Sequence, residues 1–311
     1  CVGDSDRVLA AGNDGFPLNI SFTANRLFEL SKMDGAIVID HDLTQILRAN
    51  FHLNPDPSLP TTETGMRHRT AARMSLLTDA MVVSVSERRQ VVNIYVKGRS
   101  YQLLGVAELM TRVSQLLATL QTTRQTLDRS LLRLTSLELD NYVTLGDIVS
   151  IYNQFELLSV TDQSLQDIIA QLGAEGRTVE MQRLQLVGNM ANEYNLMIRD
   201  YSSCSTVEEA HNIRKQFQAL AAKNDLDAKN VAAVLGYTDR TEDSVMIPLG
   251  LRTLSRISVV REGMADKIVD EYGSLQELLD DIQQNPEHLD EIGVRNSVIL
   301  ADSLLKMHGK R

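Results

Sequence analysis

The chain has 311 residues, 43% of them hydrophobic and 23% charged, and carries a net charge of -10. That composition is ordinary for a globular protein with room for two or three domains. The acidic balance disfavours polyanion binding over the whole surface, so any nucleic-acid contact has to come from a local patch. No apolar run approaches the length of a membrane span, so no membrane partner is expected. Cys1 and Cys204 are the two cysteines; without metal-ligand spacing they argue against a zinc site or a disulfide scaffold and make a reducing cytoplasm the default.

In chain order, Cys1-Val2-Gly3 reads like the tail of a strand. Between residues 18 and 32, a polar cluster around Ser21 and Thr23 precedes Ala24, Leu27, Phe28 and Leu30 at helical spacing, with Thr23 or Asn25 as cap. This helix delivers the turn at Met33-Asp34-Gly35. The β-branched run from Ala36 to Ile39 predicts a short buried strand, Asp40-His41-Asp42 a turn, and Thr44 to Leu53 a returning strand. Asn54 to Gly65 is a loop stiffened by Pro55, Pro57 and Pro60. Thr70 onward, with Ala71, Ala72, Met74, Leu76 and Leu77, suits a helix. Met81–Val85 and Val91–Val96 read as strands joined by the turn Glu87-Arg88-Arg89-Gln90, closing a mixed sheet flanked by helices near Leu104.

A heptad-like seam follows: Leu109, Val113, Leu116, Leu120, Thr123, Leu127, Ser130, Leu134 and Leu137, over one helix from Ala107 to about Asn141. Further helices are expected at Thr144–Leu158, Ser164–Leu172, Glu180–Tyr201 and Thr206–Ala222, forming a helical spine. From Asp225 to Arg311 the pattern is a compact helical domain. That stretch holds 10 Lys and Arg against 16 Asp and Glu, a local balance of -6.

Two short motifs carry chemistry. Asp34-Gly35-Ala36 offers a lone carboxylate beside a glycine, suited to a divalent metal or a hydroxyl proton. Arg67-His68-Arg69-Thr70 offers two guanidiniums, an imidazole and a hydroxyl, suited to phosphate oxygens. The expectation is that they meet around a nucleoside triphosphate. Each residue also has a plainer reading: Asp34 as a turn cap, Gly35 as a turn glycine, His68 as a packed imidazole, Thr70 as a helix cap, Leu53 and Ser86 as a strand end and a turn. No Walker-type loop, His-Glu-x-x-His or Gly-x-Ser-x-Gly motif occurs, which removes P-loop ATPases, zincins and α/β hydrolases.

Together with Asn50-Phe51-His52-Leu53-Asn54-Pro55-Asp56-Pro57 and Val83-Ser84-Val85-Ser86-Glu87-Arg88-Arg89, these motifs resemble the diadenylate cyclase domain. The wider chain resembles the DNA-integrity scanning protein (DisA) family of bacterial diadenylate cyclases. The resemblance implies an α/β mixed-sheet catalytic domain at 1–104, an all-α spine at 105–224 and a helix-hairpin-helix domain at 225–311. Since relatives begin with a further helix and strand, it also implies that the chain lacks its true start.

For function, the resemblance implies condensation of two ATP into cyclic di-AMP with Mg2+ or Mn2+. Asp34, Arg67, His68 and Arg69 would be catalytic. Gly35, Ala36, Leu53, Met66, Thr70 and Ser86 would join the three basic residues in binding ATP, and Asp34 and His68 would hold the metal. Each chain carries one copy of each motif, so two copies must face each other, in a homo-oligomer of at least two chains. The hairpin likeness assigns Arg261, Gly263, Lys267, Gly293 and Arg295 to branched DNA, although Val259, Arg261 and Glu291 stand at places where hairpins of this type carry glycine. Location would be the bacterial cytoplasm, with nucleoid association as an extension. The alternative is a non-catalytic, nucleotide-responsive protein that binds DNA structures.

Overall fold

Val2 is the hinge of the sheet system in the N-terminal part of the chain. In the computed structural model, which describes residues 1–86, 91–261, 263–285, 288–291 and 297–309, Val2 bridges Ile39 in parallel and Met81 in antiparallel fashion. Its N–H donates to Met81 O at 2.8 Å and its carbonyl accepts from Met81 N at 2.9 Å. The strand-like reading of Cys1-Val2-Gly3 therefore holds locally. The chain divides into two compact units, Cys1–Met110 and Thr111–Arg311, so the boundary expected at 224 falls inside the second.

The first unit runs α1 (Ser5–Ala10), β1 (Gly12–Asn13), β2 (Phe16–Ser21), α2 (Ala24–Leu30), β3 (Ala36–Ile39), β4 (Gln45–Leu53), α3 (Met66–Leu77), β5 (Val82–Ser86), β6 (Val91–Val96) and β7 (Arg99–Leu103). Strand β4 is central to one ladder, pairing antiparallel with β1, β2 and β3. Strands β5, β6 and β7 form an antiparallel meander. Thr23 caps α2, its hydroxyl accepting from Arg26 N at 3.3 Å. The β3–β4 turn is closed by Asp40, whose carboxylate accepts from Thr44 N and Gln45 N at 2.8 and 2.9 Å. Those N–H bonds, Gln45 first, hold its carboxyl below the usual range. Val38, Phe51, Ala71, Ala72, Met74, Val82 and Tyr95 share one core, which seats α3 on the sheet. The α/β character of this unit agrees with the expectation, but the expected mixed sheet is instead two antiparallel ladders, whose parallel element is the isolated Val2–Ile39 bridge. Helix α1 and strands β2 and β7 were not foreseen, because Phe16–Ser21 and Arg99–Leu103 are largely exposed edges with little apolar alternation.

The register gathers one end of this sheet. Ala36 pairs with Phe51, so Leu53 lies level with Asp34. Because Val2 is parallel to Ile39 and antiparallel to Met81, β5 runs opposite to β3, and Ser86 finishes at the same end. The proline loop returns from Leu53 to the start of α3 there. Loop residues 87–90, including the expected Arg88–Arg89 turn, lie outside the described residues.

The second unit is helical. It contains most of α4 (Val106–Leu139), then α5 (Leu145–Leu172), a 3-10 turn, α6 (Arg177–Val187), α7 (Met190–Asp200), α8 (Val207–Ala221), α9 (Ala228–Leu235), α10 (Leu251–Ser255), α11 (Met264–Tyr272), α12 (Leu275–Gln284), α13 (His288–Glu291) and α14 (Ser297–Met307). Two expected helix boundaries shift. Helix α5 is continuous through the polar stretch at 159–163, because Thr161 and Ser164 donate their hydroxyls to the carbonyls of Leu157 and Val160 one turn back. The helix expected at 180–201 breaks instead at Gly188, φ +53°. The seam on α4 also drifts. After Leu127 the buried positions are Leu131 and Leu134, and Ser130 is not among them, as expected for a helix of 3.6 residues per turn read against a strict heptad.

A buried polar group ties α4 to α7 and α10. Glu138 accepts from Tyr201 Oη at 2.7 Å and Thr253 Oγ1 at 2.9 Å, and pairs with the Arg252 guanidinium. Asp200 accepts from the backbone N–H groups of Gly250, Leu251 and Arg252 at 2.9, 2.6 and 2.9 Å, closing the start of α10.

Candidate active site at one end of the sheet

Asp34 follows the end of α2. Met33 N donates to Leu30 O at 3.1 Å, and the chain then reverses at Gly35 with φ +88°. A Cβ on Gly35 would lie 2.8 Å from Asn50 C and 3.0 Å from Phe51 N. The glycine is required by the close approach of this turn to β4, a constraint of the fold separate from any ligand. The turn leaves the Asp34 side chain 91% exposed, with Arg67 Nη2 3.6 Å from its Oδ1 and the Arg67 side chain 81% exposed. The two sequence motifs therefore meet. An ion pair so exposed is weak in water and yields readily to a ligand.

Helix α3 starts at Met66, four residues earlier than expected. Gly65 is extended, φ -80° and ψ 140°, and contributes no side-chain cap. The first-turn N–H groups at Met66, Arg67 and His68 thus have no side-chain oxygen from the N-cap, and such ends suit phosphate. Thr70 is the fifth residue of the helix. Its amide belongs to the helical ladder, which corrects the expectation that its N–H stands at the N-terminus; its hydroxyl stays at a half-buried position. Met66 is 76% exposed, and Arg69 is exposed with its N–H donating to Gly65 O at 2.8 Å. Ala36, Leu53 and Ser86 are half-buried.

His68 points the other way from its two arginine neighbours. Successive helix residues are about 100° apart, so a buried His68 turns Arg67 and Arg69 outward on either side. The ring is buried, with Nδ1 2.9 Å from Tyr95 Oη. Tyr95 in turn donates to Glu63 Oε1 at 3.1 Å. Ser84 Oγ and Asn93 Nδ2 stand 3.5 and 3.4 Å from the same ring nitrogen. Burial, then Glu63, pushes the Tyr95 phenol up to about 12. Glu63 and Tyr95 escaped the sequence reading: Tyr95 looks like any inward strand aromatic, and Glu63 sits among loop threonines.

The donor set fits a small hard cation held by few protein ligands. Asp34 presents an exposed carboxylate beside Arg67, whereas His68 is buried and turned away from that face. Nothing among the described residues brings His68 to Asp34, so of the two expected metal ligands the geometry supports Asp34. Among the described residues no three His, Cys, Asp or Glu side chains form a ready cage. Mg2+ is commonly held by one or two carboxylates plus substrate phosphates, and this arrangement suits it.

In the second unit, Arg261, Gly263 and Lys267 are exposed and cluster at the start of α11, where Gly263 is the N-cap with φ +74°. Gly293 and Arg295 lie outside the described residues. No helix among the described residues is long and apolar enough to cross a membrane.

Comparison with known proteins gives consistent matches along the chain. Residues 1–100 match the family described as DisA bacterial checkpoint controller nucleotide-binding. Residues 103–244 match the DisA bacterial checkpoint controller linker region. The DNA integrity scanning protein DisA of Carboxydothermus hydrogenoformans is 32% identical over 308 residues, covering 98% of this chain and 88% of that protein. Its namesake from Symbiobacterium thermophilum is 36% identical over 306 residues, covering 98% and 87%. That from Frankia alni is 36% identical over 276 residues, covering 86% and 77%.

Proposed function

The chain belongs to the DNA integrity scanning protein DisA family, and from that premise we propose that it is a diadenylate cyclase, joining two ATP into cyclic di-AMP and releasing two pyrophosphates. The observation that carries this reading is the meeting of Asp34 and Arg67, 3.6 Å apart and exposed at one end of the sheet. A carboxylate for a hydroxyl proton and a guanidinium for phosphate oxygens are what the reaction needs side by side.

In each half-reaction a ribose 3′-oxygen bonds to the α-phosphorus of the other ATP. The bond from that phosphorus to the bridging oxygen breaks, and pyrophosphate leaves. Asp34 accepts the 3′-hydroxyl proton as the bond forms. Arg67 and Arg69, with the uncapped first turn of α3, orient the triphosphate and offset charge developing on pyrophosphate. Asp34, together with substrate phosphates, would hold Mg2+ or Mn2+, which when bound supplies charge neutralisation at the phosphates. Ala36, Leu53, Met66, Thr70 and Ser86 stand at the same end to receive adenine and ribose. One chain holds one such set, so two chains facing each other in a homo-oligomer bring two ATP into line.

We further propose a DNA-structure sensor in the second unit, of helix-hairpin-helix type, using Arg261, Gly263 and Lys267 with Gly293 and Arg295, in a cytoplasmic and nucleoid-associated protein. The uncapped start of α11 supports backbone contact. The local charge balance of -6 limits it to a small patch that neutralises few phosphates, so binding should weaken with salt along a modest slope. The test is incubation of the purified chain with ATP and Mn2+, followed by chromatography of the products. Cyclic di-AMP is expected from the native chain and none from Asp34→Asn, with the fold retained in both. Turnover that survives this substitution ends the assignment of Asp34.

A further inference from the structure

His68 occupies an unusual place for the middle residue of a phosphate-binding triplet: it is buried while its neighbours are exposed. The sequence of hydrogen bonds around it is directional. In the contact between Glu63 Oε1 and Tyr95 Oη, 3.1 Å, the phenol is the donor. A phenol has one proton. Having given it to Glu63, Tyr95 can only accept from His68, whose Nδ1 lies 2.9 Å away. The neutral ring must then carry its proton on Nδ1 and keep the lone pair on Nε2.

The other neighbours are compatible with this. Ser84 Oγ at 3.5 Å can accept as well as donate, and the Asn93 amide at 3.4 Å presents oxygen or nitrogen by rotation. Tyr95 is fully buried, so no water competes for its proton. The opposite edge of the ring faces Gly65: a Cβ there would stand 3.2 Å from His68 Cδ2. Loop, helix and strand β6 are thus clamped through one imidazole.

We infer that Glu63 and Tyr95 are positioning residues. They fix His68 as the Nδ1–H tautomer, with Nε2 as an acceptor, and thereby seat the first turn of α3 so that Arg67 and Arg69 face the triphosphate. The catalytic consequence rests on the cyclase reading above; the tautomer does not. The direction of the relay predicts a particular pattern of responses. Glu63→Gln retains an oxygen acceptor for the phenol and leaves the tautomer unchanged. Glu63→Ala frees the phenol to donate to Nδ1, which moves the ring proton to Nε2. Tyr95→Phe removes the acceptor for Nδ1–H while keeping the buried ring, and lets the proton redistribute toward Nε2.

The experiment is nitrogen-detected magnetic resonance of histidine-labelled full chain, under alkaline conditions where imidazoles are neutral. The His68 signals are assigned by their loss in His68→Gln. Product formation is measured on the same samples, and thermal midpoints check the fold. Expected are Nδ1–H in the native chain and Glu63→Gln, and a shift toward Nε2–H in Glu63→Ala and Tyr95→Phe. Cyclic product should fall by about tenfold to hundredfold in the last two, since displacing a substrate-positioning group by about an ångström is enough for a loss of that order. A native chain with Nε2–H, or a tautomer indifferent to both substitutions, overturns the relay. A shifted tautomer with unchanged turnover overturns the positioning role. A native chain that makes no cyclic product yet shows the tautomer series removes the cyclase reading and leaves the relay standing.

Discussion

Replacing Arg252 by methionine should destabilise the helical unit severely. The side chains of Arg252 and Glu138 are 3% and 0% exposed. Arg252 also donates to Thr135 Oγ1 at 3.1 Å and toward Leu131 O at 3.4 Å. Without it, Glu138 keeps two neutral donors, Tyr201 Oη and Thr253 Oγ1, and no cation. Removing one member of a buried pair costs about 3–5 kcal/mol, because the remaining charge is stranded in a poor solvent. Arg252→Met with Glu138→Gln should recover at least half of it, since an amide keeps the hydrogen bonds and removes the charge. The assay is urea unfolding followed by far-ultraviolet circular dichroism, with the single and double variants compared through their midpoints. A single-variant loss under about 1 kcal/mol, or equal losses in single and double variants, would refute the reasoning.

Two further outcomes follow from the same structure. Burial, then the Glu138 carboxylate, raises Asp200 to about 7 from 3.8, against the opposing pull of the Arg252 charge and of the backbone N–H groups of Arg252 and Leu251. Its folded value exceeds its unfolded one, so the native state binds the proton more tightly. The associated stability is present below the unfolded value and is lost as pH rises toward 7; a pH series of urea midpoints should show this slope, and Asp200→Asn should flatten it. Gly35→Ala combines a positive φ with a 2.8 Å clash against β4, and should cost roughly 2–5 kcal/mol in strain and overpacking; a thermal midpoint within error of the native chain would show that the turn relaxes freely.

The elements that carry the site were legible because their signals are local. The β-branched run at Ala36–Ile39 and Thr23 as a cap are decided within a few residues. So is the glycine at 35, read both as a turn glycine and as room for a nucleotide; β4 pressed against it supports the turn reading. What failed were features set by distant partners. Gly65 starts α3 four residues early with no capping side chain to announce it. Thr161 looks like a loop residue and Ser164 like a fresh helix start until their hydroxyls find carbonyls one turn back. Glu63, Tyr95 and His68 lie up to 32 residues apart, and nothing in their spacing foretells that they touch. The burial of Glu138, Asp200 and Arg252 depends on α4, α7 and α10 converging, which periodicity alone cannot predict.

The exposure of the site is itself an argument about how it must work. Phosphoryl transfer depends on fixed donors in a setting where water is excluded. Asp34 at 91% and Arg67 at 81% exposure lie in no such setting within one chain. Their sequence neighbours Met33 and Met66 are exposed as well, at 46% and 76%. Exposed apolar groups next to polar groups suited to chemistry are what a surface looks like before a partner covers it. On the cyclase reading, the Glu63–Tyr95–His68 chain supplies the complement: it supports the first turn of α3 from behind, and a second copy would supply the closure that aligns a pair of nucleotides for mutual attack.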